Sequence, residues 1–288
     1  MKLLNLDEGG QLALGVLSGT GSYRRVPGIE GIDAYLRADA PLRLQYDAAL
    51  RDCLAGAGPD LPLARAALAP VVRNPGKVIC LGLNFLAHAK EGGNPVPDYP
   101  TVFLRCASSL VAHGRAIMLP AVSDKLDFEA ELAVVIGTRA KNCPMKHALA
   151  HVAGYACFND ASLRDYQRKT TQWTMGKNFD QTGALGPCLT TVDALPAGAS
   201  GLHMQSRLNG RVMQDTKLDD MIFSVAQTIS LVSDVMTLEP GDVIVMGTPA
   251  GVGYARKPPL FMQPGDVIEV EIEGIGVLSN NIAAQGTA

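Results

Sequence analysis

Apolar and acidic residues alternate along residues 126–132, where Leu126, Phe128, Ala130 and Leu132 interleave with Asp127, Glu129 and Glu131. A period of two predicts a β-strand with the three carboxylates on one face and the apolar side chains on the other. Neighbours two apart on a strand stand roughly 7 Å from each other, so the acids repel unless water or a cation lies between them. The run continues through Val134, Val135 and Ile136, as a strand entering the core, where water screens charge poorly. A hard divalent cation, which takes oxygen ligands, would neutralise the cluster. The same pattern also describes the wet face of an ordinary antiparallel strand. Val267–Glu273 repeats it with Glu269, Glu271 and Glu273, and pattern alone does not rank the two rows.

The remaining periodicity is mostly that of strands. Residues 2–17 read as a hairpin turning at Asp7-Glu8-Gly9-Gly10, and residues 77–82 as a short buried strand. Further strands are predicted at 101–105, 126–136, 152–158, 186–191, 202–208, 242–247 and 267–279. Two helices are predicted. One is short, near Pro144–His151, with Asn142 as its N-cap. The other runs from Met221 to Met236 behind Asp219-Asp220, with Ile222, Val225, Ala226, Ile229, Val232 and Met236 at helical spacing.

Residues 22–55 carry no clear chemistry. Pro and Gly crowd residues 56–76, which predicts a boundary between a small N-terminal domain, 1–70, and a second domain, 75–288. Pro-Gly-Asp-Val-Ile occurs at 240–244 and again at 264–268, each copy a turn feeding a strand. Two copies do not make a repeat protein. Strands this numerous and irregularly spaced argue for an α+β, β-rich fold rather than alternating βαβ units.

Composition narrows the function classes. With 288 residues, 47% hydrophobic and 18% charged, the chain can bury a sizeable core. A net charge of −3 leaves no basic field for nucleic acid or an anionic membrane surface. No apolar run nears the roughly 20 residues that span a bilayer. Met1–Glu8 reaches acids too soon for a signal peptide, so a cytoplasmic protein is expected. Cys53, Cys80, Cys106, Cys143, Cys157 and Cys188 form no Cys-x-x-Cys pair, which predicts reduced, mostly buried thiols.

Several segments can carry chemistry. His88 and Glu91 are three apart after the strand at 77–82, neighbours on one helical turn. A carboxylate beside a histidine orients the ring and raises its basicity, as a general base needs. Gly92 and Gly93 would let the segment hinge as a lid. A surface helix with a chance pair has the same spacing. Asn159-Asp160 ends an apolar run, a position that suits a pocket or a turn. Arg164 and Gln167 follow, then Lys177 between Gly176 and Phe179. A buried lysine there would hold a carboxylate or stabilise developing negative charge, whereas a snorkelling lysine would do neither. The glycine-rich stretch Met246–Gly253 lacks both the dinucleotide and the P-loop pattern.

Together these segments resemble the fumarylacetoacetate hydrolase family. The matching pieces are Gly82-Leu83-Asn84 with His88 and Glu91; Asp127–Leu132; Gly154-Tyr155 with Asn159-Asp160; Arg164-Asp165 with Gln167; Gly176-Lys177 with Phe179; Asp220–Ser224; and Gly247–Gly253. They cover roughly residues 75–283, and residues 1–70 resemble the variable N-terminal region of the family's shorter bacterial members. The resemblance implies a mixed β-roll, usually homodimeric. It implies a divalent metal, Mg²⁺ ahead of Mn²⁺ or Ca²⁺, held by Glu129, Glu131 and Asp160. Asp127 becomes a supporting neighbour, and Glu269, Glu271 and Glu273 fall back to a solvated face. His88 and Glu91 match a water-activating pair on a mobile lid, Lys177 an active-site lysine, and Thr248 a substrate contact. Arg105, Arg164 and Gln167 are further candidates for binding the substrate. The chain departs from the usual pattern at Phe85, Ala87, Arg105-Cys106 and Asn178, which bears on substrate choice more than on the metal or the base.

The implied substrate is a small anionic keto acid. Three readings follow. The first is hydrolysis of a carbon–carbon bond in a β-diketo acid such as an acylpyruvate or fumarylpyruvate. The second is decarboxylation or isomerisation of a 2-oxo or 2-hydroxydiene diacid, such as oxaloacetate, on the same site. The third is a non-catalytic protein that binds metal or ligand.

Overall fold

The acidic run at 126–136 is two strands, broken at Phe128 and Glu129 in a computed structural model that describes residues 1–91, 93 and 95–286. Leu126–Asp127 pairs with Ser162–Leu163 in a small separate ladder. Ala130–Ile136 lies in the middle of the main sheet, between Val152–Asp160 and Val243–Val245. Leu132, Val134 and Ile136 pack into one core, and Ala133 and Val135 into another. A strand covered on both faces needs no polar side, which is why this run reads as continuous apolar sequence after Glu131.

The main sheet runs in the order Leu61–Pro62, Ser22–Val26, Gln11–Gly19, Lys2–Glu8, Gly183–Thr191, Val152–Asp160, Ala130–Ile136, Val243–Val245, Val78–Gly82 and Thr101–Arg105. Leu110–Ala112 joins it in parallel beside Gly183–Thr191. A second sheet has the order Arg211–Lys217, His203–Leu208, Val267–Ile272, Gly276–Ala284 and Ile117–Leu119. It closes over the face of the main sheet that carries Leu132 and Val134, with Met204, Val270, Leu278 and Ile282 in the shared core. The chain thus has the α+β, β-rich architecture expected of it.

The expected N-terminal domain is joined to this sheet. Lys2–Glu8 hydrogen-bonds to Gly183–Thr191, and the helices Gly31–Arg37 and Ala40–Leu54 bring Ile32, Leu36 and Leu50 into one core with Val78, Ala133 and Phe158. Buried Asp33 accepts the backbone N–H groups of Arg73 and Asn74, which fixes the connecting stretch at the proposed boundary.

Several local expectations shift. The long helix is Val225–Val235, not 221–236, because Ser224 and Gln227 form a reciprocal capping box there. Asp219 and Asp220 lie in a preceding 3₁₀ turn. The short helix is Met145–Ala148, and Asn142 stands outside it at a φ of 49°. The strand expected at 267–279 is a hairpin, Val267–Ile272 and Gly276–Ala284. Its acids Glu269 and Glu271 bind Arg207 at the partly exposed surface, the solvated role left to that row.

Candidate active site

Glu129, Glu131 and Asp160 converge because two neighbouring strands carry them. Ala130 faces Asn159 in register, and the Asp160 backbone N–H donates to the Glu129 carbonyl at 2.9 Å. Directly opposed residues share a face, so the three carboxylates point the same way. One oxygen from each lies within 4.8 Å of the others, and all three side chains are buried. Asp127 is set apart by the break in the strand. Its carboxylate accepts from Arg164 Nε, Gly253 N and Tyr254 N, which makes it an anchor for the site's walls.

Three cations meet these acids. Lys177 Nζ donates to Glu129 Oε2 at 2.7 Å and to Asp160 Oδ2 at 2.5 Å. Arg164 Nη2 lies 2.7 Å from Glu129 Oε1, near in distance but off the N–H direction. Arg105 Nη1 donates to Asp160 Oδ1 at 2.5 Å. Burial opposes the charge on Glu129, yet Lys177 and Arg164 hold its carboxyl down at about 2. Burial, with Asp160 and Glu129 alongside, pushes Glu131 well above the usual carboxylate range. Burial also works against the Lys177 ammonium, and Asp160 and Glu129 outweigh it, so its pKa is raised.

The donor set fits a hard divalent cation. It consists of oxygen atoms alone, within mutual reach and screened from water. A bound cation favours the ionised form of Glu131, and four ionised acids, Asp127, Glu129, Glu131 and Asp160, against Arg105, Arg164 and Lys177 then leave negative charge for it to neutralise.

Facing these acids is the helix Leu86–Glu91. His88 Nδ1 lies 3.2 Å from Glu91 Oε2. Glu91 Oε1 accepts the Gly251 backbone N–H at 3.0 Å. Asn84 roots the segment by bonding the Met246 carbonyl and both backbone groups of Phe223. The glycine-rich loop is therefore a backbone donor rail: Gly247 serves Glu131, Gly251 serves Glu91 and Gly253 serves Asp127. A Cβ on Gly253 would stand 1.9 Å from the Leu260 carbonyl oxygen, so this close approach demands glycine. Gly92 of the expected hinge lies outside the described residues, and Gly93 sits in a turn at a φ of 68°.

A cavity of about 290 Å³ brings together His88, Glu129, Glu131, Arg164, Gln167, Lys177 and Thr248 from the expected residues. Thr248 is held by Gln214 at 2.7 Å and donates to the Ala130 carbonyl. Arg105 does not reach the cavity. Its side chain is fully enclosed and spends its donors on Asp160, Ser109 and Thr182, so it positions Asp160 instead of meeting a substrate. Sequence reasoning passed over Phe103, Arg168, Trp173 and Tyr254, which also line the cavity. Gly82 held a signal for one of them, since a Cβ there would stand 2.2 Å from the Trp173 ring. A larger cleft of about 570 Å³, beside Asp7, Arg73 and Arg115, contains none of the converging carboxylates. Among the described residues, no helix is long and apolar enough to cross a membrane.

Residues 77–283 match the model of the fumarylacetoacetate (FAA) hydrolase C-terminal family. The chain belongs to that family. It is 44% identical over 236 residues to the mitochondrial oxaloacetate tautomerase FAHD2A of Bos taurus, covering 81% of this chain and 74% of that one. A fumarylacetoacetate hydrolase from Exiguobacterium antarcticum superposes with a TM-score of 0.84 at 33% identity, over 99% of this chain and 100% of that one. Maleylpyruvate hydrolase from Sphingobium sp. SYK-6, solved with manganese(II) and pyruvate, superposes at 0.80 with 28% identity over 99% and 100%. Family members include hydrolases and tautomerases.

Proposed function

We propose that this chain is a divalent-metal-dependent enzyme that interconverts the enol and keto forms of a small 2-oxo dicarboxylate. The observation that supports it most is that His88, braced by Glu91, opens on the same cavity as Glu129, Glu131 and Lys177. Glu129, Glu131 and Asp160 would hold the metal, Mg²⁺ first, and when bound it supplies Lewis acidity toward the 2-oxo acid end of the substrate. The hydrogen bond to Glu91 assigns the imidazole proton to Nδ1 and leaves Nε2 as the base.

Nε2 takes a proton from the carbon beside the carbonyl, and the bonding pair shifts onto the carbonyl oxygen. Lys177, pinned between two carboxylates, faces the negative charge that develops there. Protonation of that oxygen completes the enol, and the reverse sequence restores the keto acid. The 44% identity to a protein named as an oxaloacetate tautomerase makes oxaloacetate the first substrate to try. The test follows the ultraviolet absorbance of enol oxaloacetate with Mg²⁺ or Mn²⁺. Acceleration that chelator and His88→Ala both abolish is the expected result. A rate equal to the uncatalysed one with either metal overturns the reading.

The fold shared with maleylpyruvate hydrolase favours a second reading. Here His88 Nε2 would deprotonate water, the hydroxide would add to the distal carbonyl of an acylpyruvate, and the carbon–carbon bond would break to give pyruvate enolate and a carboxylic acid. Product mass distinguishes the two, because only hydrolysis adds water. Turnover of neither substrate class would return the non-catalytic alternative. The homodimer belongs to the proposal as well, and sedimentation of the purified chain tests it.

A further inference from the structure

The cavity is lined by three cations beside the candidate base, and two of them already pair with buried carboxylates. Lys177 is bound between Glu129 and Asp160. Arg164 donates to Asp127 and Gln167 and stands beside Glu129 as a charge pair. The third, Arg168, is exposed where it lines the cavity and pairs with no carboxylate among the described residues. Its backbone N–H donates to the Arg164 carbonyl, so one helical turn delivers both guanidinium groups.

Tyr254 holds the two together. The guanidinium carbons of Arg164 and Arg168 lie 4.5 Å and 4.4 Å from its ring centroid. The Tyr254 backbone N–H is in turn fixed by Asp127, the carboxylate that holds Arg164 Nε. An aromatic ring holds a guanidinium through its face and leaves the edge N–H donors free for a planar anion. Carboxylates match that edge with two parallel hydrogen bonds.

We propose that Arg168, steadied by Tyr254, is the specificity-determining residue that receives the second carboxylate of a dicarboxylic substrate, an assignment that rests on the 2-oxo acid reading above. Neither residue touches the acids that would hold the metal. Both therefore sort substrates by their far end without taking part in the proton transfer.

Calorimetric titration of the Mn²⁺-loaded protein with pyruvate and with 2-oxoglutarate tests this, since the two share the 2-oxo acid end and differ in the second carboxylate. The native protein is expected to bind the diacid more tightly. Arg168→Ala should weaken diacid binding about tenfold, the scale of a charge-assisted hydrogen-bonded contact, and change pyruvate binding less than about twofold. Arg168→Lys, which keeps the charge but not the fork, should fall between. Tyr254→Leu should lower the diacid preference and spare pyruvate. Equal loss for both acids, or loss for neither, overturns the role of Arg168 and leaves the 2-oxo acid reading standing. Failure of the native protein to bind either acid overturns both.

Discussion

Glu91 accepts the backbone N–H of Gly251 at 3.0 Å with one carboxylate oxygen, while the other lies 3.2 Å from His88 Nδ1. One side chain thus fastens a short helix to the glycine-rich loop and orients the candidate base. Burial opposes its ionisation, but the His88 hydrogen bond and the Gly251 N–H outweigh it and hold the carboxyl below its usual range. Glu91→Ala should cut kcat by about a hundredfold, within the span of general acid–base contributions, with a smaller change in KM. Glu91→Gln keeps an acceptor for the ring and should retain more activity. Steady-state kinetics on oxaloacetate check both.

Arg105 compensates Asp160 from behind, with both side chains enclosed. Arg105→Met leaves a buried carboxylate short of its partner and should destabilise the metal-free protein by about 3–5 kcal/mol. Saturating Mn²⁺ should recover part of that loss by compensating Asp160 in the guanidinium's place. Urea unfolding with and without the ion measures it.

Binding to the folded chain alone links metal to stability. Mn²⁺ at about a hundred times its Kd should raise the unfolding free energy by about 2.7 kcal/mol. Glu129→Gln and Asp160→Asn should remove the gain. Glu269→Gln, on the surface row beside Arg207, should leave it intact. Thermal melts across a metal titration separate these outcomes.

Burial pushes the His113 imidazole below its ordinary value of 6.5. Its Nδ1 accepts the Ser279 N–H at 3.0 Å, a bond the neutral ring can make. On acidification the unfolded chain takes up this proton first, near 6.5, while the folded chain resists it. The stabilisation is therefore complete above that pH and is lost as pH falls through it toward the lower folded value. His113→Asn, whose side-chain oxygen can replace the Nδ1 acceptor, should flatten the profile between about pH 5 and 7. Urea midpoints across that range provide the measurement.

Alternation made Glu129 and Glu131 legible, because period two reports which side chains share a face. It could not separate them from Glu269 and Glu271. Arg207 and solvent, both invisible in a linear pattern, make that difference. Arg105 was misread because sequence shows a charge and not the three partners that absorb its donors. Arg168 and Tyr254 belong to no motif and meet only through tertiary contact. The helix Ala40–Leu54 escaped detection because its apolar residues form no single stripe, with Leu42, Leu44 and Leu54 exposed while Leu50 and Cys53 are buried. The start of the long helix was misplaced because Asp219-Asp220 imitates an acidic first turn, whereas the Ser224 cap sets the true one.

The pairing of Ala130 with Asn159 carries a genetic corollary. A codon gained within 130–136 or 152–159, or lost there at any residue but Glu131, slides one strand past its neighbour and turns Asp160 toward the opposite side of the sheet. All three acids would survive in the translated sequence, yet the cage they form would be gone. Length variation among descendants of this gene should therefore collect in the 137–151 connection and spare the two strands that flank it.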